Sequence, residues 1–226
     1  MSTIDLDALR KTRAENPGKI AEVLANRKRR ELLRGDGKLF IVAADHPARG
    51  ALGVGKNETA MADRNVLLER LALALSRPGV DGVLGTPDII EDLALLGLLD
   101  DKIVVGSMNR GGLKGASFEM DDRYTAYDVD GIVSAGLDFA KNLVRINLDD
   151  AGSVDTLEAT ALAVSEAAEA KLPIMLEPFM SEWVDGKIVN DLSTEAVILS
   201  ISIASGLGNS SAYSWLKLPV VPDMER

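Results

Sequence analysis

Short apolar runs of strand length alternate with stretches of helical periodicity along most of this chain of 226 residues. Most of the runs are almost continuously apolar, which is typical of a parallel strand with helices packed on both of its faces. The alternation predicts an α/β fold, with a sheet either open and doubly wound or closed as a TIM (β/α)8 barrel. The predicted strands cover residues 39–44, 80–85, 103–106, 143–148, 172–178 and 212–221.

Helices and one hairpin are predicted between these strands. Residues 86–88 read Thr-Pro-Asp, which is an N-cap followed by proline at the first helical position and an acid in the first turn. An Asp-Gly pair predicts the turn of a hairpin over residues 182–189. The predicted helices cover about residues 58–76, 86–96, 129–135, 154–170 and 193–204.

Residues 1–36 are predicted to form a charged helical extension, or a lid, that precedes a main domain of residues 37–226. A first helix begins near Ile4 and is broken at residues 16–18, and a second is expected over residues 19–33. The second contains the basic run of residues 27–30. Because the run is short and the whole chain is acidic, we expect it to be a solvated face and not a nucleic-acid site.

Polar residues stand at the carboxyl ends of several predicted strands, which favours the barrel. In a (β/α)8 barrel these ends converge on one mouth, where active sites are built. No Gly-x-Gly-x-x-Gly motif follows a strand, so the fingerprint of a dinucleotide-binding fold is absent. The polar residues at strand ends are Asp45, Asn109, Arg110, Arg145, Asn147, Glu177 and Lys217.

The length of the chain accommodates only part of such a barrel. A complete barrel takes about 250 residues and eight β/α units. This chain provides six predicted units and the N-terminal helical extension. We therefore expect an incomplete barrel, which is either a piece of a longer protein or is completed by a partner or a second copy.

Lys217 lies in the predicted sixth strand, which is apolar and aromatic on both faces. Burial of an unpaired ammonium group costs several kcal/mol, and the usual response is a lowered pKa. A neutral lysine is a nucleophile that forms a Schiff base with carbonyl compounds. The sequence therefore indicates imine chemistry at Lys217, with an ordinary ion pair as the alternative.

Composition excludes several other classes of function. The chain has no cysteine and a single histidine, His46, whereas catalytic zinc sites usually take two or three histidines or cysteines. A metal site is therefore not expected. The net charge of −10 argues against nonspecific nucleic-acid binding, and no apolar run reaches the length of about 18 residues that a membrane helix needs. We expect a cytoplasmic protein that binds neither nucleic acid nor membrane.

Three segments resemble the DeoC/LacD class I aldolases, in particular the DhnA-type fructose-bisphosphate aldolases. Residues 40–47 read Phe-Ile-Val-Ala-Ala-Asp-His-Pro and resemble the first strand of that family. Residues 215–219 read Trp-Leu-Lys-Leu-Pro and are similar to its Schiff-base strand. Residues 176–179 read Leu-Glu-Pro-Phe and are similar to the fifth strand of the tagatose-bisphosphate branch. Aldolase-like proteins of bacterial inositol catabolism are also similar.

The resemblance implies a role for each matching residue. Lys217 would form the imine, Glu177 would shuttle protons, and Asp45 would hold a substrate hydroxyl. Arg145 would supply a cation beside the nucleophile and so disfavour its ammonium form. The residues predicted to bind substrate are His46, Asn109, Arg110, Asn147 and Trp215.

The implied function is that of a metal-independent aldehyde-lyase without a cofactor. It would reversibly cleave a phosphorylated sugar, or a ketose or deoxy-sugar acid, to a ketone resembling dihydroxyacetone phosphate and an aldehyde. The family also implies a homo-oligomer. Two other functions stay open, namely a non-catalytic sugar-phosphate binder and a barrel lyase or isomerase that uses Glu177 as a base without an imine.

Structural roles are also open for most of these residues. Asp45 is a possible cap of the turn at Pro47, and His46 a possible hydrogen-bonding residue of the loop. Arg145 is a possible ion-pair partner of Glu177. Asn109 and Arg110 are possible loop anchors, and Trp215 a packing residue.

Overall fold

The computed structural model describes residues 4–110 and 112–221. These form two compact units. The first comprises the described residues up to 106 together with residues 131–138, and the second comprises those of 107–130 and from 139 onward. No helix in the described part of the chain combines the length and apolar character needed to span a bilayer.

The first unit contains a parallel sheet in the order β1-β2-β3. Its core is apolar, since Val83 and Val104 on adjacent strands are fully buried. A Cβ atom at Gly82 would lie 2.0 Å from the carbonyl oxygen of Ile103, so this close strand approach requires glycine. Its elements are α1 (Leu6–Glu15), α2 (Gly18–Ala25), β1 (Ile41–Ala43), a 3-10 turn (His46–Arg49), α3 (Arg64–Leu75), β2 (Gly82–Gly85), α4 (Pro87–Leu95) and β3 (Ile103–Ser107), and α5 (Val129–Ser134) is shared in sequence with the second unit.

The second unit contains a parallel sheet in which β5 pairs with β4 on one side and with β7 on the other. The predicted hairpin is confirmed, because β5 continues past the parallel sheet and turns at residues 185–186 to pair antiparallel with β6. The elements are β4 (Phe139–Ile146), α6 (Gly152–Glu169), β5 (Ile174–Val184), β6 (Lys187–Asn190), α7 (Thr194–Ser205) and β7 (Ser214–Leu216).

The structure confirms the predicted alternation of strands and helices and corrects several boundaries. The fourth strand begins at Phe139, four residues before the predicted start. The second helix ends at Ala25 and not at residue 33. The last strand is three residues long and partly exposed, so the prediction of a fully buried strand over residues 212–221 is wrong.

The basic run of residues 27–30 is only partly a solvated face, so this prediction is wrong for Arg27 and Arg30. The side chain of Arg27 is 3% exposed and lies 2.9 Å from the carboxylate of Asp138, and it also donates to two backbone carbonyls. Arg30 is 6% exposed and pairs with Asp81 at 2.5 Å. Because Asp81 immediately precedes β2, these two arginines fix the run near the amino ends of the strands of the first unit. Lys28 and Arg29 are exposed, as predicted.

The N-terminal extension is attached to the first unit by a second set of ion pairs. Arg13 of α1 lies 2.8 Å from the carboxylate of Asp92 on α4, and Arg64 of α3 contacts the other oxygen of that carboxylate. Asp92 is 5% exposed. A buried carboxylate needs such partners, since an isolated charge would be expensive to bury.

We predict that Arg27→Met lowers the free energy of unfolding by about 3 kcal/mol, because it removes one partner of a buried ion pair. The measurement is urea unfolding followed by circular dichroism. The matched control is Lys28→Met, because Lys28 belongs to the same run but makes an exposed pair with Asp101 at 3.0 Å. The control should match the wild type within error. Equal losses for both variants would contradict a structural role for Arg27.

Candidate active site

One face of the second unit's sheet carries the residues of the candidate site. Lys141 on β4 is aligned with Met175 on β5, and Met175 with Trp215 on β7. Because side chains alternate along a strand, these residues and Glu177, two positions after Met175, share one face. The ring of Phe139 contacts Trp215 edge-on at a centroid distance of 5.2 Å, as expected for that face.

Glu177 lies between two lysines. The ammonium group of Lys141 is 2.9 Å from one carboxylate oxygen, and that of Lys217 contacts the other. The side chain of Lys141 is 4% exposed, that of Glu177 12% and that of Lys217 40%. Lys217 directly follows β7, and its backbone N–H donates to the carbonyl of Leu176 at 2.8 Å, so the backbone fixes its position. The site thus combines one carboxylate with a buried amine and an accessible amine.

The electrostatics of Glu177 reflect this arrangement. Burial by itself would raise the pKa of Glu177. The charges of Lys141 and Lys217 and the hydrogen bonds that they donate outweigh burial, and the pKa of Glu177 is lowered from its ordinary value of 4.5. The carboxylate is therefore ionised at neutral pH and is paired with both ammonium groups.

The structure does not place Lys217 in a fully buried strand. Trp215 and Leu216 are each 38% exposed, so the strand leaves the amine accessible to water, contrary to the prediction. The structure instead shows a second cation, Lys141, on the other oxygen of the same carboxylate.

Arg145 pairs with a carboxylate other than that of Glu177. Its guanidinium group lies 2.9 Å from the carboxylate of Glu119, and both side chains are buried. The predicted alternative, an ion pair with Glu177, is also wrong, because Lys141 makes that pair. Lys141 was missed because the fourth strand was predicted to begin after it. Lys141, Leu143 and Arg145 are spaced two residues apart, and side chains at this spacing lie on one face of a strand. This spacing was the signal that both cations share a face.

Asp45 and His46 follow β1 in the first unit. The carboxylate of Asp45 is 8% exposed, and the imidazole of His46 is 58% exposed with Nδ1 3.3 Å from Oδ1 of Asp45. Asp45 begins the 3-10 turn without a capping hydrogen bond from its side chain to that turn. The role predicted for Asp45 from the resemblance, to hold a substrate hydroxyl, stays a prediction.

The amide of Asn109 is used within the second unit. It donates to the carbonyl of Leu143 at 2.7 Å and accepts from the N–H of Leu143 at 2.9 Å. It also donates to the carbonyl of Asp122. These contacts hold the loop after β3 against β4, which is the structural alternative for Asn109.

The other predicted binding residues of this unit lie at loops. Arg110 donates to the hydroxyl of Thr125 at 2.9 Å and borders a surface cavity of about 320 Å³ with Leu113 and Phe118. The side chain of Asn147 accepts from the N–H of Asp149 in a tight turn.

No three His, Asp or Glu side chains among the described residues are grouped as a metal site would require.

Comparison with known proteins places the chain in a family. The model of the Cgl0159-like family matches residues 37–226. The chain belongs to the Cgl0159-like family. The crystal structure of Cgl0159 from Corynebacterium glutamicum is 71% identical, with a TM-score of 0.97 over 100% of this chain and 77% of that chain. No curated protein sequence matches the chain.

More distant solved structures are class I aldolases. A Schiff-base-forming fructose-1,6-bisphosphate aldolase is 22% identical, with a TM-score of 0.50 over 82% of this chain and 66% of that chain. An archaeal fructose-1,6-bisphosphate aldolase, solved with its catalytic lysine bound to the carbinolamine of the substrate, is 21% identical with the same TM-score and coverage. The predicted fold class, a partial TIM-barrel α/β fold, is therefore confirmed. The likeness of this Cgl0159-like protein to the aldolases is one of fold.

We predict a pH-dependent contribution of Glu177 to stability. Because its pKa is lowered in the folded state, ionised Glu177 stabilises the protein fully above pH 4.5, and this stabilisation is lost as the pH falls through the lowered pKa. The difference in unfolding free energy between wild type and Glu177→Gln should therefore be constant from pH 8 to about 5 and shrink below about pH 4.5.

Urea unfolding at a series of pH values measures this difference. Glu182→Gln is the control, because Glu182 is exposed on the same strand, and its difference from wild type should be small throughout. A Glu177→Gln difference that grows as the pH falls would contradict the ion-pair assignment.

Proposed function

We propose that this Cgl0159-like protein is a class I aldolase whose imine-forming residue is Lys217. The observation that carries the proposal is the carboxylate of Glu177 held between a buried and an accessible lysine. The fold shared with Schiff-base aldolases supports it. The substrate class is a phosphorylated sugar, or a ketose or deoxy-sugar acid, as the sequence resemblance implies.

The contacts of Lys217 suggest how the imine forms. The carboxylate of Glu177 takes a proton from the contacting ammonium group, and the neutral amine attacks the carbonyl carbon of the substrate. Protonated Glu177 returns its proton to the carbinolamine hydroxyl, which leaves as water. The product is an iminium ion that is linked to Lys217 and draws electrons from the adjacent carbons.

Cleavage then uses the same carboxylate. Ionised Glu177 accepts the proton of the substrate hydroxyl, the adjacent carbon–carbon bond breaks, and the aldehyde leaves. The electron pair of the broken bond enters the iminium system as an enamine. Protonation of the enamine carbon and hydrolysis release the ketone and restore Lys217. The predicted role of Asp45, to hold a substrate hydroxyl, rests on the sequence resemblance alone.

Lys141 is assigned a positioning role. Its ammonium group is buried and stays paired with Glu177, which holds the carboxylate in place and keeps it ionised between proton transfers. The buried amine thus stays charged, while the accessible amine reacts.

We predict that borohydride traps an adduct on Lys217 when the protein is incubated with dihydroxyacetone phosphate. The added mass should equal that of the ketone less one oxygen atom, since imine formation loses water and reduction adds two hydrogens. Lys217→Met should abolish the adduct, and Glu177→Gln should slow trapping by about 100-fold. Mass spectrometry of the intact protein and of its peptides measures both effects.

The control is Lys187→Met, which removes an exposed lysine of the hairpin and should trap like wild type. Lys141→Met should slow trapping without moving the adduct to another residue. Ligand-dependent thermal stabilisation without any adduct would favour a non-catalytic sugar-phosphate binder. Turnover that survives in Lys217→Arg but not in Glu177→Gln would favour a lyase or isomerase without an imine.

A further inference from the structure

A buried ion pair between Glu119 and Arg145 is not used by the mechanism above. The two groups are 2.9 Å apart, and their side chains are 5% and 6% exposed. Replacing a buried ion pair with apolar residues is often neutral or stabilising, so stability alone does not explain such a pair. Its position suggests what it does.

The strand register places Arg145 directly beyond the candidate site. Leu143 is aligned with Glu177, and Arg145 with Phe179, the next residue of β5 on that face. A strand rises about 3.3 Å per residue, so the backbone of Arg145 lies about 7 Å beyond the row of Glu177, toward the carboxyl ends of the strands. This is the end from which substrates enter in barrel enzymes.

The partner of Arg145 is supplied by the loop that follows β3. The second carboxylate oxygen of Glu119 accepts from the N–H of Gly115 at 2.9 Å. A Cβ atom at Gly112 would lie 2.4 Å from the carbonyl oxygen of Glu119 and 3.1 Å from the guanidinium of Arg145, and the φ of Gly112 is +78°. This position therefore requires glycine, and the backbone closes tightly over the ion pair.

We propose that Arg145 determines substrate specificity by binding an anionic group that the substrate carries beyond its carbonyl. In the free protein the guanidinium group of Arg145 is paired with Glu119. The phosphate or carboxylate of the substrate replaces Glu119 as its partner. A guanidinium group binds either anion through two parallel hydrogen bonds, and a phosphate brings more charge than Glu119. The inference rests on the proposed function, since it takes the imine at Lys217 as the fixed end of the substrate.

The test compares two ketones that differ only in a phosphate group. Borohydride trapping is measured as a function of concentration for dihydroxyacetone phosphate and for dihydroxyacetone. In wild type the phosphorylated ketone should half-saturate trapping at a concentration at least 10-fold lower. Arg145→Met should bring this ratio close to one, and Arg145→Lys should keep part of it, because a lysine retains the charge without the paired donors.

Two further variants separate recognition from simple loop anchoring. Glu119→Gln removes the competing carboxylate with little change of shape and should increase the preference for the phosphorylated ketone. Arg123→Gln is the matched control, because Arg123 pairs with Asp121 on the same loop but is 61% exposed, and the ratio should stay at the wild-type value. The proposal would be overturned if the ratio of half-saturating concentrations for the two ketones kept its wild-type value in both Arg145→Met and Glu119→Gln.

A measurement without imine formation distinguishes this proposal from the proposed function. Binding of inorganic phosphate is followed by calorimetry for wild type, Glu119→Gln and Arg145→Met. Tighter binding by Glu119→Gln and loss of binding in Arg145→Met would support anion recognition even if no ketone is trapped. Phosphate binding that survives in Arg145→Met would overturn the proposal, whether or not Lys217 forms an imine.

Discussion

The ionised carboxylate of Glu177 is the group on which the candidate site depends. It lies on the central strand of the second unit, and the neighbouring strands bring one lysine to each of its oxygens. Because both cations outweigh the cost of burial, the carboxylate stays charged where an isolated one would not. One acid thus holds a buried ammonium group in place and also contacts the accessible amine.

Buried charges elsewhere in the protein follow the same rule and have different consequences. Arg27 and Arg30 pair with Asp138 and Asp81 near the amino ends of strands, where they fix a loop that the sequence presents as a basic run. These pairs attach the segment after α2 to the first unit. The pair between Arg145 and Glu119 has similar geometry but lies at the opposite, carboxyl end of its strand, on the face that carries Lys141. The position of a buried ion pair on the strand therefore separates a structural role from a proposed binding role.

Much of the fold was predictable because apolar periodicity and turn chemistry are local signals. The helix start at residues 86–88, the Asp-Gly hairpin turn and the order of strands and helices all appear in the structure. Boundaries that depend on long-range contacts were not predictable. The second helix ends at Ala25 because the following arginines bind carboxylates far along the chain, and β4 begins at Phe139 because its first residues pair with β5.

The sequence alone determined the alternating strands and helices and the residue types available for chemistry. It singled out Lys217 and Glu177, because a polar residue in or at the end of an apolar strand is conspicuous without any structure. Only the tertiary structure decided that Lys141, and not Arg145, faces Glu177, and that Lys217 is accessible to water. Those facts depend on the register of neighbouring strands and on the exposure of β7. The register brings Lys141 and Lys217 to Glu177, although they are 36 and 40 positions away from it in the chain.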